Sequence, residues 1–349
     1  MSDPESETAA PSQPAHHASS LPPIEPIVIA EESSPVAEWS RRVLAEINKV
    51  FIGQDRLVRG VLQALLADGH VLIESVPGLG KTLLVRAVGQ VLGCGFNRIQ
   101  FTPDLMPSDV TGSPIFDERI HDFRFRPGPV FTQLLLADEI NRAPAKTHSA
   151  LLEIMQETRV TIDGVSYPIE PPFLVLATQN PIESEGTYNL PEAQLDRFLF
   201  KLVVDYPSER EEVDILRLHT RGVPPDRNLG EQLGAVTDPA EVLGMQRRCA
   251  SVLVDDRVLG YIAALVRATR RWPAFSLGVS PRAGVAILRG ARAVAALEGR
   301  EYMIPDDVQE VVLPALRHRV MLTPEAEIEG RSPDELLTEL IRSVEVPLR

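Results

Sequence analysis

Residues 70–82 read HVLIESVPGLGKT, and this stretch determines the fold class that we expect. Its apolar part, residues 70–74, is short and leads into Pro77–Gly80, which predicts a buried strand followed by a turn. The residues that follow, Leu83–Leu92, have the pattern of a helix. A strand, a glycine-rich turn and a helix in this order direct backbone N–H groups at an anion. The stretch therefore predicts a phosphate-binding loop.

The loop also supplies side chains that a nucleoside triphosphate requires. Lys81 would reach the terminal phosphates, and the Thr82 hydroxyl would bind Mg²⁺. Ser75 stands where this pattern usually begins with glycine, which has a cost if the position requires a positive φ angle. The alternative is a glycine turn with a structural role. The candidate nucleotide-binding residues of the loop are Ser75, Val76, Pro77, Gly78, Leu79, Gly80, Lys81 and Thr82.

A second apolar run, residues 134–137, delivers the carboxylates Asp138 and Glu139 at its end. Ligands of open parallel sheets bind at the carboxyl ends of the strands, so both side chains are expected at the phosphate site. Asp138 would hold Mg²⁺ through its water shell, and Glu139 would polarise the water that attacks the γ-phosphate. The predicted cofactors are therefore ATP and Mg²⁺.

Asn180 and Arg197 are further candidates beside strands. Asn180 follows the strand predicted at 173–178, where it would hydrogen-bond the γ-phosphate or position the water, unless it is only a turn residue before Pro181. Arg197 ends a short helix just before the last predicted strand. It either pairs locally with an acid such as Asp196 or acts as an arginine finger on the nucleotide of a neighbouring subunit.

Arg282 is a candidate in the C-terminal part of the chain. Ser280 and Pro281 predict a helix start, and Arg282 falls in its first turn. A cation is electrostatically unfavourable at a helix N-terminus. Arg282 is therefore expected to meet an external anion such as the γ-phosphate, the alternative being a solvated arginine.

Apolar runs alternate with helical patterns up to Pro207, which indicates a parallel sheet covered on both faces. After Pro207 the pattern becomes helical to the end. We expect an α/β P-loop NTPase fold with a five-stranded parallel sheet. The predicted domains are a disordered tail (1–36), an α/β nucleotide-binding domain (37–207) and an all-helical lid domain (208–349).

Two insertions interrupt the alternation. Residues 112–131 have a polar centre between strand-like flanks, and residues 159–170 place Asp163-Gly164 between alternating residues, a strong hairpin signal. Both insertions are expected to form hairpins, either functional ones or surface hairpins without a special task.

The chain has 349 residues, 44% of them hydrophobic and 24% charged, an ordinary globular balance. Half of its net charge of −14 comes from the first 40 residues, which contain no lysine or arginine. This balance argues against broad binding to a nucleic-acid backbone. The chain has few cysteines, no secretory signal, and no apolar run that approaches the roughly 18 residues needed to span a membrane. These features favour a soluble, cytoplasmic protein without a membrane span.

The first 36 residues contain seven prolines and scattered acids and serines, a composition typical of disordered segments. His16 and His17 could be metal ligands. An adjacent pair without a third ligand nearby more often belongs to an unstructured segment, and we expect this for His16 and His17.

Together, these segments resemble the MoxR family of AAA+ ATPases, in the helix-2-insert clade, over roughly residues 40–320. The segments that carry the resemblance are Phe51-Ile52-Gly53-Gln54, SVPGLGKT (75–82), IQFTPDLMPSDVTG (99–112), FRPGPVF (125–131), LLLADEINRAP (134–144), ATQNPIESEGTYNLPEAQLDRF (177–198) and SPRA (280–283).

The resemblance implies a role for each candidate. It makes Lys81 and Thr82 Walker A, and Asp138 and Glu139 Walker B. The remaining implied roles are Asn180 as sensor 1, Arg197 as arginine finger, Arg282 as sensor 2, and Gly53 and Gln54 in the segment that contacts adenine. The insertions 112–131 and 159–170 correspond to the helix-2 insert and the pre-sensor-1 hairpin. Ser75 is the only departure in these motifs.

The resemblance also implies partners. Family members are expected to form hexameric rings and to act as chaperone-like ATPases on client proteins. They often act beside proteins with a von Willebrand factor A domain, in maturation or metal-cofactor loading of other complexes.

Three functions follow from the sequence. The first is an ATP-hydrolysing remodeller of client proteins. The second is a nucleic-acid motor whose Arg119, Arg124 and Arg126 track a backbone, which the acidic balance disfavours. The third is an ATP-gated scaffold with little turnover.

Overall fold

The computed structural model describes residues 34–119, 121–180, 188, 190–220 and 229–347. Residues 1–33 of the predicted tail, with His16 and His17, lie outside the described residues, as do residues 181–187 and 189 of the long segment 177–198. The first helix begins at Pro35, two residues before the predicted start of the nucleotide-binding domain at residue 37.

The described helices are α1 (Pro35–Ile47), α2 (Asp55–Leu66), α3 (Lys81–Leu92), α4 (Pro107–Thr111), α5 (Ala145–Glu157), α6 (Glu192–Leu195), α7 (Glu209–His219), α8 (Leu229–Gln232), α9 (Pro239–Ala250), α10 (Asp256–Thr269), α11 (Pro281–Leu297), α12 (Pro305–Leu316), α13 (Pro324–Ile328) and α14 (Pro333–Ser343). The described strands are β1 (Val71–Ser75), β2 (Phe96–Gln100), β3 (Gly112–Asp117), β4 (Asp122–Pro127), β5 (Leu134–Asp138), β6 (Arg159–Ile162), β7 (Val165–Pro168), β8 (Leu174–Gln179), β9 (Phe200–Val204), β10 (Phe275–Leu277) and β11 (Met321–Leu322).

Five strands form a parallel sheet in the order β2-β5-β8-β1-β9. This confirms the predicted five-stranded parallel sheet. Strand β1 lies between β8 and β9, so the chain passes over β1 when it runs from β8 to β9. The loops after β1 and β8 leave the same edge of the sheet side by side, which is where open parallel sheets bind ligands.

Helices cover both faces of the sheet. Ile73 and Leu136 pack on one face with α1, α2, α3 and the C-terminal helices, in a single buried cluster. Leu72 and Leu135 pack on the other face with α5. Because consecutive residues point to opposite faces, a strand buried on both sides must be apolar throughout, as β5 is at residues 134–137.

The C-terminal helices pack directly on the sheet and on α1. The Trp39 indole of α1 donates a buried hydrogen bond of 3.0 Å to the Thr237 hydroxyl. Gly290 of α11 lies against Phe200, so closely that a Cβ at Gly290 would stand 2.6 Å from the ring. Glycine is what allows α11 to approach β9 here.

The predicted helical C-terminal region is confirmed, and it also contains a short antiparallel ribbon of β10 and β11. These strands have three and two residues, too few to produce a strand period in the sequence.

Each insertion contains an antiparallel hairpin, β3–β4 in the first and β6–β7 in the second. The turn between β6 and β7 has positive φ angles at Asp163 (50°) and Gly164 (80°), as a tight two-residue turn requires. The Phe125 and Tyr167 rings stack with centroids 4.1 Å apart, so the two hairpins are in contact. Among the described residues, no helix combines the length and apolarity that crossing a membrane requires.

Candidate nucleotide-binding site

The glycine-rich loop joins the end of β1, at Ser75, to the start of α3, at Lys81. Within this loop the positive φ angles occur at Gly78 (86°) and Gly80 (73°), and Ser75 has none. The backbone cost considered for Ser75 therefore does not arise. Gly78 and Gly80 supply the left-handed conformations that the turn requires.

Lys81 forms hydrogen bonds with residues at the start of its own loop. Its Nζ donates to the Ser75 Oγ at 2.6 Å and to the Val76 carbonyl at 3.3 Å. Burial lowers the pKa of Lys81, while the charges of Asp138 and Glu139 act in the opposite direction. The Ser75 side chain that departs from the usual pattern is thus the closest hydrogen-bond partner of the lysine.

One cavity of about 280 Å³ brings most of the candidates together. Its lining residues are Pro77, Gly78, Leu79, Gly80, Lys81, Thr82, Arg98, Asp138, Glu139, Thr178, Gln179 and Asn180. The loop, the two carboxylates and Asn180 therefore share one space, although the chain delivers them from three separate strands.

A second cavity of about 200 Å³ shares Gly78, Leu79 and Gly80 with the first. The rest of its lining is mostly apolar and consists of Val50, Phe51, Ile52, Gln54, Leu83, Pro207, Ile215 and Leu218. Gln54 is the polar exception, and its side-chain oxygen is buried with no hydrogen-bond partner among the described residues. Gly53 is absent from the lining and makes the turn before α2, with a φ angle of 75°.

Both carboxylate oxygens of Asp138 are occupied by protein donors. The Thr178 hydroxyl donates to Oδ1 at 2.6 Å. Arg98 donates to Oδ2 from Nη2 at 2.6 Å and from Nε at 3.2 Å. Asp138 is thereby fixed between β8 and β2, on both sides of its own strand.

Glu139 has a positive φ angle of 55°, a strained conformation for a residue with a Cβ. Its backbone N–H donates to the Thr178 hydroxyl at 2.9 Å. Its Oε2 accepts hydrogen bonds from Gln100 Nε2 at 2.7 Å and from Arg142 Nη1 at 2.8 Å. The surrounding structure thus holds the strained backbone and the carboxylate in place.

Our reading of the sequence missed Arg98, Gln100, Thr178 and Arg142. The signal for two of them was present, because Arg98 and Gln100 alternate along β2 and so project from the same face. The register that pairs Gln100 with Asp138 depends on the folded sheet and could not be read from the sequence.

Arg197 and Arg282 do not line either cavity. Arg197 donates from Nη1 to the Leu152 carbonyl of α5 at 2.6 Å. Arg282, with its side chain 53% exposed, pairs with Asp196 at 3.7 Å. The sequence suggested a local ion pair between Arg197 and Asp196. In the structure, Asp196 pairs with Arg282.

Asp196 also binds the buried Arg319, whose Nε donates to it at 2.6 Å. Arg319 Nη2 donates further to the carbonyls of Asp196 at 3.0 Å and Phe198 at 2.6 Å. His318 contacts the same Phe198 carbonyl through Nε2 at 3.1 Å. The segment that follows α12 therefore binds the segment that carries Arg197.

A parallel sheet with this strand order, a glycine-rich loop after β1 and two carboxylates after β5 define an ATPase of the AAA class. The model of the ATPase family associated with various cellular activities (AAA) matches residues 70–200, and that of the AAA lid domain matches residues 267–340. The chain is 45% identical over 317 residues to the Chaperone MoxR1 of Mycobacterium tuberculosis, covering 88% of this chain and 82% of that protein.

Two further comparisons agree. The chain is 34% identical over 332 residues to the Protein MoxR of Methylorubrum extorquens, covering 88% of this chain and 95% of that protein. The crystal structure of a proposed ATPase from Cytophaga hutchinsonii has a TM-score of 0.83 at 39% identity, covering 90% of this chain and 96% of that one. The chain belongs to the MoxR family of AAA ATPases, and its reaction is the hydrolysis of ATP.

Proposed function

We propose that this chain is a Mg²⁺-dependent ATPase that remodels client proteins as part of a hexameric ring. The observation that carries the proposal is the single cavity shared by Lys81, Thr82, Asp138, Glu139 and Asn180. An ammonium, a hydroxyl, two carboxylates and an amide beside a glycine-rich loop are the groups that transfer of a phosphoryl group to water requires.

The loop and α3 bind the phosphates. The backbone N–H groups of residues 76 and 78–80 and the positive end of the α3 dipole attract an anion. Lys81 exchanges part of its contact with Ser75 and Val76 for the terminal phosphates. Burial lowers the pKa of Lys81, and a bound phosphate would favour its charged form.

The mostly apolar second cavity binds the adenine ring. Phe51, Ile52 and Leu218 offer apolar contacts, and the unpartnered Gln54 oxygen is an acceptor suited to an adenine amino group. A buried acceptor without a donor is costly, so a ligand that supplies one gains affinity. Gly53 shapes this segment and is part of the same proposal.

The donor set around Asp138 fits Mg²⁺. A carboxylate and a hydroxyl, those of Asp138 and Thr82, line the cavity beside the loop, and hard oxygen ligands suit this cation. When bound, the metal would neutralise charge on the phosphate oxygens. Asp138 would hold it through water, and Thr82 would bind it directly.

Glu139 and Asn180 act on the attacking water. Glu139 polarises this water as a general base, for which its carboxylate must turn away from Gln100 and Arg142. Asn180 orients the water or the γ-phosphate as sensor 1. Both side chains line the cavity that the terminal phosphate would enter.

Arg197 and Arg282 complete the site from outside the cavity. Arg197 acts as an arginine finger on the nucleotide of the neighbouring subunit, which is why we propose the ring. Arg282 acts as sensor 2 when it leaves Asp196 for the γ-phosphate. Residues 37–207 then form the nucleotide-binding domain and residues 208–349 the lid that responds to the nucleotide.

The cellular role in the proposal is chaperone-like, which the name of the mycobacterial relative supports. A protein with a von Willebrand factor A domain is the proposed partner, in the cytoplasm. The β3–β4 hairpin offers a surface for a client polypeptide, because Phe116 and Phe123 are 49% and 66% exposed and form an edge-to-face pair. Large exposed apolar side chains in a cluster are typical of protein contacts.

Two substitutions test the proposed site. Lys81→Ala should weaken binding of a fluorescent ATP analogue about tenfold or more, since it removes a charged hydrogen-bond donor. Glu139→Gln should keep this binding and lower the steady-state ATPase rate at least about a hundredfold. Glu153→Gln, at an exposed carboxylate of α5, is the matched control. An ATPase rate that Glu139→Gln leaves unchanged would contradict the assignment.

A further inference from the structure

Arg98 contacts Asp138, the carboxylate to which we assign the metal. Its guanidinium makes two hydrogen bonds to the Oδ2 of Asp138, and Thr178 takes the other oxygen. In this arrangement both side-chain oxygens of Asp138 accept hydrogen bonds from the protein, one of them from a cation. A guanidinium and a divalent cation that bind the same carboxylate repel each other, so each weakens the binding of the other.

The position of Arg98 allows it to leave. Its side chain is 45% exposed, against 12% for Asp138, and the same cavity includes Arg98, Lys81 and Thr82. Its Nη2 also donates to the side-chain oxygen of Gln100 at 2.7 Å. A half-exposed guanidinium can be exchanged at modest cost, whereas a fully buried one such as Arg319 could not.

We propose that Arg98 is a positioning residue that holds Asp138 and competes with Mg²⁺ for this carboxylate, so that Arg98 must be displaced when the metal binds with the nucleotide. This inference rests on the proposed function, which gives Asp138 the metal. Arg98 orients the Asp138 carboxylate and neutralises its charge, so that Asp138 repels incoming phosphates less. The contact also reduces the gain in nucleotide affinity that Mg²⁺ provides, because the ion pair must first be broken.

The experiment is a binding titration that needs no hydrolysis. A fluorescent, non-hydrolysable ATP analogue is titrated with the full-length protein, once in EDTA and once in Mg²⁺, and the ratio of the two Kd values gives the gain from the metal. Removing the guanidinium in Arg98→Gln should raise this ratio about fivefold, the value of one half-exposed ion pair. Arg98→Lys, which keeps the charge but loses the two-point contact, should give a smaller increase.

Two controls make the outcome interpretable. Arg159→Gln removes an exposed arginine, paired with Glu157 at 3.3 Å, and should leave the ratio at the wild-type value. Binding in EDTA shows that each variant is folded.

Asp138→Asn should abolish the gain from Mg²⁺. If Asp138→Asn keeps the gain, the metal assignment in the proposed function is wrong. If Asp138→Asn abolishes it while Arg98→Gln and Arg98→Lys leave the wild-type ratio unchanged or lower it, the role of Arg98 is overturned and the metal assignment stands.

Discussion

Two groups of proposed catalytic residues are placed differently in this chain. The pocket residues Lys81, Asp138 and Glu139 line one cavity, whereas the rim arginines Arg197 and Arg282 bind protein atoms outside it. The pocket is built by adjacent strands of one sheet, so a single chain is enough to assemble it. The rim arginines belong to the junction between the sheet and the C-terminal helices. With the roles that we propose for Arg197 and Arg282, a complete site requires a second chain, a movement at this junction, or both.

The largest effect expected from this comparison concerns Arg197. Arg197→Ala should lower kcat about a thousandfold, the effect of removing an arginine finger. Nucleotide affinity should remain close to that of the wild type, because Arg197 lines neither cavity. Steady-state ATPase assays and binding titrations measure the two quantities. Arg159→Ala is the matched control, and a parallel loss of affinity in Arg197→Ala would place this residue in its own pocket.

The next effect is on stability at the junction. Asp196→Asn leaves the Arg319 guanidinium, whose side chain is only 4% exposed, without its carboxylate partner. Because a buried charge without a counter-ion is costly, the free energy of unfolding should fall by about 3 kcal/mol. Urea denaturation measures this change. Glu157→Gln breaks the exposed pair with Arg159 and should leave the urea midpoint unchanged. Equal effects of the two substitutions would contradict a special role for the junction.

The contrast between pocket and rim also shows what the sequence could and could not predict. The loop at 75–82 and the pair Asp138 and Glu139 are short local patterns, so their place at strand ends could be predicted. The contact between Asp196 and Arg319 joins residues 123 positions apart, and no local pattern indicates it. The contact between Arg98 and Asp138 depends on which strands are neighbours and in which register. Local patterns therefore predict the pocket residues, whereas the contacts that hold their side chains in place depend on tertiary structure.

Acid should destabilise the fold through buried histidines outside the pocket. Burial lowers the pKa of His70 to about 4, and its Nδ1 accepts a hydrogen bond of 3.1 Å from the Val175 N–H. The unfolded chain binds a proton below about pH 6.5, which the folded chain resists until about pH 4. The contribution of His70 to the free energy of unfolding is thus fully present above about pH 6.5 and is lost as the pH falls towards 4.

Urea titrations should show a loss of about 1–2 kcal/mol between about pH 7 and pH 5 from His70 alone. His70→Gln should reduce this slope, and His318, whose pKa burial also lowers, should keep part of it. The exposed His121 provides the control His121→Gln, for which the slope should not change. A slope unaffected by His70→Gln would mean that other groups titrate in this range.

The smallest effect is expected at Ser75, the departure from the usual loop. Ser75 has no positive φ angle, so Ser75→Gly relieves no strain and removes the 2.6 Å contact with Lys81 and the 3.2 Å hydrogen bond from its hydroxyl to the Val76 carbonyl. The affinity for a fluorescent ATP analogue should change by less than about tenfold, because Lys81 gives up part of this contact when it binds the phosphates. Ser75→Ala should behave alike, since both lose the hydroxyl. A gain in affinity in Ser75→Gly alone would show that the backbone of this residue limits the loop.

The most direct test of the central claim is the ATPase activity of an equal mixture of Arg197→Ala and Glu139→Gln proteins, with each variant alone as the control. In a mixed ring, a pocket that retains Glu139 can receive Arg197 from a neighbour. Roughly a quarter of the pockets would then be complete, and the mixture should regain a similar fraction of wild-type activity. A mixture no more active than the two variants alone, although they assemble together, would contradict the claim that Arg197 acts on the nucleotide of the adjacent subunit.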